Sequence, residues 1–182
     1  STLAQLISAS ERAVPLNRYS AGYVMNATNP AITRNGYLQT IRTINEQGIS
    51  GQNEVVAVLD TGLDYNLVWF HDENEKVTFD TTNPKHRKVV RYIAFADETD
   101  DLPGHGTHIV GSIIGNAPNY PEKLYNGVAP EAKVLFVDIK EQYDLDVRTT
   151  FDLPDIVSQL KAQEGGVLTA SFGAKDNGKN DL

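Results

Sequence analysis

The sequence predicts a three-layer α/β fold, a mostly parallel sheet with helices on both faces. Three observations carry that expectation. Short apolar runs recur at residues 55–59, 89–95, 134–139 and 167–170. Runs that lack polar alternation suit strands covered on both faces, as in a buried parallel sheet. Helical segments fall between these runs, so strand and helix alternate. An acid, Asp60, directly follows the first run, at the carboxyl end of a strand, where open parallel sheets bind ligands.

The elements follow in order. Residues 1–47 read as a lead-in of their own. Leu3, Leu6 and Ile7 share one face of a short helix, and Leu38, Ile41 and Ile44 share one face of another that stops near Gly48. Between them, residues 26–36 are rich in turn formers. Past the first strand, a helix is expected from about His105 to Ile114. A second is expected from Pro154 to about Gln163, capped at Asp152 or Leu153 and ended by Gly165-Gly166.

Composition narrows the function. A chain of 182 residues is long enough for one domain with a real core. A net charge of -8 argues against a nucleic-acid-binding surface. The absence of cysteine excludes disulfides, Cys-ligated zinc and a thiol nucleophile within the chain. No apolar run approaches the ~18 residues that a membrane span needs. The chain opens Ser1-Thr2-Leu3 without a basic stretch followed by an apolar one, so no signal peptide is expected within it.

Two motifs carry chemistry. Asp60-Thr61-Gly62 ends the first strand. Alone it also fits an ordinary turn, or the Asp-Thr-Gly of aspartic proteases. The second motif is His105-Gly106-Thr107-His108-Ile109-Val110-Gly111, delivered by Pro103-Gly104 to a helix start. Two histidines three apart can ligate a metal on one helical face, but no Glu follows His105 as the zinc-protease helix requires. The acidic run from Asp97 to Asp101 reads as a solvated loop, with attraction of basic substrates or calcium binding as the other readings.

Taken together, these stretches resemble the subtilase family of serine proteases. Val58 through Asp64 is similar to its aspartate signature, and His105 through Gly111 to its histidine signature. Gly127 through Val134 resembles the segment that leads into the next strand. Leu168 through Gly173 resembles the strand end that lines the substrate cleft. The segments around His86 to Val90 and Tyr125 to Gly127 look most like subtilases of unicellular eukaryotes.

The resemblance implies a subtilisin-like fold, C-terminally incomplete, with residues 48–182 as the N-terminal portion of a catalytic domain. It implies that His105 is the general base and Asp60 its orienting carboxylate. Ser171, Phe172 and Gly173 would pair with substrate backbone and wall the main specificity pocket. His108 and Asp64 are expected to be structural. No serine of the chain stands in a suitable nucleophile turn, so the Ser is expected beyond Leu182 and this chain alone is expected to be inactive. The implied partners are a protein or peptide substrate and the C-terminal remainder, in cis or as a separate chain. The implied setting is secreted or vesicular. No cofactor is needed for the chemistry. A structural calcium is compatible with the family, with Asp72 as a candidate ligand. The competing reading is a truncated or degenerate subtilase domain that binds without catalysis. An aspartic protease is disfavoured, because Leu63 replaces the small residue expected there and the histidine motif would go unexplained. The strand at 167–170 is expected to need a further neighbour that the polar tail after Gly173 cannot supply.

Overall fold

A computed structural model describes residues 45, 47–100, 104–119, 126–142 and 150–171. The lead-in helices expected at Leu3 to Ile7 and Leu38 to Ile44 lie outside these residues.

The described residues hold one four-stranded sheet. Its strands are β1 (Val55–Asp60), β2 (Val89–Ile93), β3 (Lys133–Asp138) and β4 (Val167–Ala170). The order across the sheet is β2-β3-β1-β4, and every pairing is parallel. β1 is therefore interior, which is why all of its residues are buried. Valines suit such a strand, since a branched Cβ packs well on a pleated surface.

Two helices connect the strands, α1 (His105–Ile114) and α2 (Leu153–Ala162). α1 buries Gly106, Val110 and Ile114, a spacing of four that forms one stripe. That stripe packs on Val56, Val58, Val134 and Phe136. The alternate residues Val55, Ala57, Leu59, Leu135 and Val137 face the other way, against Ile156 and Leu160 of α2. The period-2 alternation of strand side chains thus builds two cores, one under each helix, and gives the three layers.

α2 begins where its sequence says it should. Asp152 caps it, accepting a hydrogen bond from the Asp155 backbone N–H at 3.2 Å, and Pro154 sits in the first turn. The helix ends at Ala162, and the Gly165 N–H closes back on the Leu160 carbonyl at 3.0 Å. α1 has no side-chain cap; Gly104 enters it in the left-handed conformation at φ 65°.

The expected run at 89–95 is strand only as far as Ile93. Beyond it the chain turns away, and the Ala96 N–H donates to the Asp138 carbonyl at 2.9 Å. β4 is an edge strand among the described residues, and Val167 is 54% exposed there.

Candidate active site

The first chemistry-bearing residue is fixed by the sheet. Asp60 is the last residue of β1 and is completely buried. Burying a carboxylate is unfavourable unless donors meet it. Its Oδ1 accepts from the Thr61 backbone N–H at 2.8 Å and from His105 Nδ1 at 2.7 Å. Among the described residues Oδ2 is buried without a hydrogen-bond partner. His105 opens α1, and its side chain remains 40% exposed. The pair therefore joins an interior acid to a solvent-facing imidazole. With Nδ1–H donating to the carboxylate, the Nε2 lone pair is left free to take a proton.

Two glycines make this contact possible. A Cβ on Gly106 would run into the Gly62 carbonyl oxygen and come within 3.2 Å of Asp60 Cβ. Gly62 has φ 110°, and a Cβ there would collide with the Thr99 carbonyl. The turn after β1, the start of α1 and the acidic loop thus meet backbone to backbone. Thr107 ties the same three together. Its hydroxyl donates to Asp100 Oδ2 at 2.6 Å and accepts from the Asp64 N–H at 2.6 Å.

The acidic run is accordingly more than a solvated loop. Besides the Asp100–Thr107 bond, Asp97 accepts from the Thr99 N–H at 2.7 Å and the Gln142 N–H at 2.8 Å. Sequence reading missed this role. The signal was available in the position of Thr107, a hydroxyl two residues after the helix-opening histidine.

A second acid stands beside the first. Asp138 ends β3, in register with Asp60, and is also fully buried. Burial pushes its carboxyl up to about 7.

Ser171, expected to line the substrate cleft, directly follows β4, whose last residue Ala170 pairs with Leu59. It is exposed and emerges at the same end of the sheet as Asp60. Phe172 and Gly173 lie outside the described residues. His108 sits one turn further along α1 and is not the histidine bonded to Asp60.

Asp72, the candidate calcium ligand, takes backbone donors on both carboxylate oxygens. Its Oδ1 accepts from the Asn74 and Glu75 N–H groups at 2.9 and 3.2 Å, and its Oδ2 accepts from Arg87 N–H at 2.8 Å. Burial works to raise its carboxyl, and these backbone donors outweigh it, so Asp72 stays below the usual carboxylate range. Among the described residues no group of three or more His, Cys, Asp or Glu side chains is placed to hold a metal.

An acid at the end of an interior parallel strand, bonded to a histidine that opens the next helix, is what the sequence resemblance requires. The family model of the Subtilase family matches residues 51–181. The chain belongs to the subtilase family.

Curated relatives match about half of the chain. The chain is 41% identical over 95 residues to the serine protease/ABC transporter B family protein tagA of Dictyostelium discoideum, covering 51% of this chain and 5% of that protein. It is 33% identical over 93 residues to Bacillopeptidase F of Bacillus subtilis, covering 50% of this chain and 6% of that one. The protease CspB of Clostridium perfringens superposes with a TM-score of 0.52 at 20% identity, over 75% of this chain and 32% of that one. That likeness speaks for the fold. The Dictyostelium relatives agree with the resemblance to subtilases of unicellular eukaryotes. The chain spans about one-twentieth of the curated relatives named here.

Proposed function

We propose that this chain supplies the Asp and His of a serine endopeptidase whose nucleophilic serine lies beyond Leu182. The single observation that carries this reading is the 2.7 Å contact between His105 Nδ1 and the buried Asp60. Family membership supports serine-type proteolysis in general.

In this reading His105 takes the serine hydroxyl proton on Nε2 as the oxygen attacks the scissile carbonyl. It later returns that proton to the leaving amine. Asp60 fixes the imidazole tautomer and stabilises the imidazolium; it does not itself take the proton. Its burial strengthens that interaction, because little water competes for the carboxylate. Ser171, with Phe172 and Gly173, would present the substrate-pairing edge at the end of β4. The chemistry needs no cofactor. Residues 48–182 would then be the N-terminal portion of the catalytic domain, inactive without the remainder. The compartment proposed from family membership is secreted or vesicular, and fractionation that finds the full-length protein only in cytosol would count against it.

The test is to treat the full-length protein with a serine-directed phosphonylating reagent and to assay cleavage of an unstructured protein. Cleavage is expected, blocked by modification of one serine downstream of Leu182. A full-length protein that cleaves nothing and takes up no label would favour the non-catalytic binding module instead.

A further inference from the structure

A second buried acid, Asp138, ends the strand beside that of Asp60. Asp138 and Asp60 end neighbouring parallel strands in register, so their side chains leave the same face of the sheet. That face is the one covered by α1, since Val56 and Val58 precede Asp60 on it, and Val134 and Phe136 precede Asp138. Strands in a sheet lie about 4.8 Å apart, so Asp138 and Asp60 are neighbours across the sheet.

Asp138 is held by β2. The Tyr92 hydroxyl donates to Asp138 Oδ2 at 2.8 Å, and the Lys140 N–H donates to Oδ1 at 3.1 Å. Tyr92 is itself fully buried, and its hydroxyl meets the backbone N–H of Leu63. Leu63 belongs to the turn that follows Asp60. One phenol therefore links the turn behind Asp60 to the acid at the end of β3. The Ile139 N–H closes the unit by donating to the Asp60 carbonyl at 3.0 Å.

We propose that Tyr92 and Asp138 are positioning residues for the Asp60–His105 couple, bracing its turn and setting an ionisable charge on the same face of the sheet. This rests on the protease reading for its meaning, but not for its geometry. The groups facing Asp138 are Tyr92 from β2, Asp60 from β1, and Asp97 and Asp100 from the loop behind β2; His105 enters through its bond to Asp60. Burial first, and then Asp97 and Asp100, raise the Asp138 carboxyl to about 7, against the donors from Lys140 and Tyr92. A proton on Asp138 therefore comes and goes where a histidine base works. When it leaves, a negative charge is added on the face of the sheet that carries Asp60.

The test uses the full-length protein and two readouts. The first is the carbon NMR titration of the Asp138 carboxyl. It is expected to titrate near neutral pH, and Tyr92→Phe is expected to move it to higher pH by removing a donor that favours the ionised form. The second is the pH profile of kcat/KM in Asp138→Asn. Its acid limb is expected to move to lower pH by about half a unit, the order expected for losing one charge at a partly screened site. An Asp138 carboxyl that titrates in the ordinary range near 4, unmoved by Tyr92→Phe, overturns the proposal. So does an Asp138→Asn enzyme that loses kcat with its acid limb in place, since that marks a structural role alone. Should the full-length protein prove inactive, the carboxyl titration still decides the pair while the protease reading fails on its own. Should Asp138→Asn fail to fold, the Tyr92→Phe titration decides it.

Discussion

The two ends of the sheet both bury ionisable side chains, and they treat them differently. At the carboxyl end Asp60 and Asp138 are met by side chains as well as backbone, His105 for one and Tyr92 for the other. At the amino end Lys88, just before β2, is 2% exposed. Its Nζ donates to the Pro130 and Ala132 carbonyls at 2.8 and 2.6 Å. His86 beside it is buried too, and its Nδ1 accepts from the Lys88 and Val89 N–H groups at 3.1 and 2.9 Å. Arg87 donates to the carbonyls of His71, Asn116 and Val68.

Backbone partners are fixed by the fold and hold a side chain still. Side-chain partners can exchange protons, and at the carboxyl end one of them, His105, reaches solvent. The same interior thus builds a clamp at one end and a proton-handling couple at the other.

The contrast also has a sign. Burial pushes the Lys88 ammonium down to about 7 and the Asp138 carboxyl up to about 7. For Lys88 the folded value lies below the unfolded one, so the unfolded chain binds more protons between about pH 7 and 10.5. Stability from this group is lost as pH falls through that window. For Asp138 the folded value lies above the unfolded one, so the native protein binds more protons between about pH 3.8 and 7. Stability from this group is present at low pH and lost as pH rises through that window.

The largest stability effect is expected at the tightest contact. Gly106→Ala forces a Cβ against the Gly62 carbonyl and Asp60. It is expected to cost about 3 kcal/mol in denaturant unfolding of the full-length protein. Equal stability would mean that α1 and the turn after β1 are not held as closely as described.

Lys88→Met tests the clamp. Above pH 10 it is expected to cost about 1–3 kcal/mol, because the Pro130 and Ala132 carbonyls lose their donor. The difference from the parent protein should shrink as pH falls toward 7, at no more than ~1.4 kcal/mol per pH unit. A pH-independent difference would break the comparison between the two ends.

Asp138→Asn should show the opposite dependence. Relative to the parent, the variant is expected to gain stability as pH rises from about 4 to 7, with the same limiting slope. Unfolding curves across that range check the sign. The smallest effect belongs to Asp152→Ala, which removes the cap of α2 on the far face from His105. It is expected to cost about 1 kcal/mol and to leave kcat unchanged.

Much of this was legible in the sequence, for identifiable reasons. The apolar runs marked the strands to within a residue or two because a doubly covered strand tolerates no polar alternation. Asp152 and Pro154 announced α2 because orphan backbone N–H groups demand a cap. Asp60 and His105 could be paired before any coordinates through the resemblance of their two stretches to the subtilase aspartate and histidine signatures. The Tyr92–Asp138 bond was not legible. It depends on the register of β2 against β3, which shifts between Val89 and Arg91, and no local pattern encodes that shift. The burial of Lys88 was not legible either, because its enclosing carbonyls come from residues more than forty positions away.

In the proposed serine endopeptidase, buried Asp60 orients His105 as the base. Steady-state peptide hydrolysis by full-length Asp60→Asn tests it most directly. A fall in kcat of about 10⁴-fold with KM little changed is expected, because the amide stabilises the wrong imidazole tautomer while the substrate edge at β4 is untouched. An Asp60→Asn protein that hydrolyses peptide at the parent rate would contradict it.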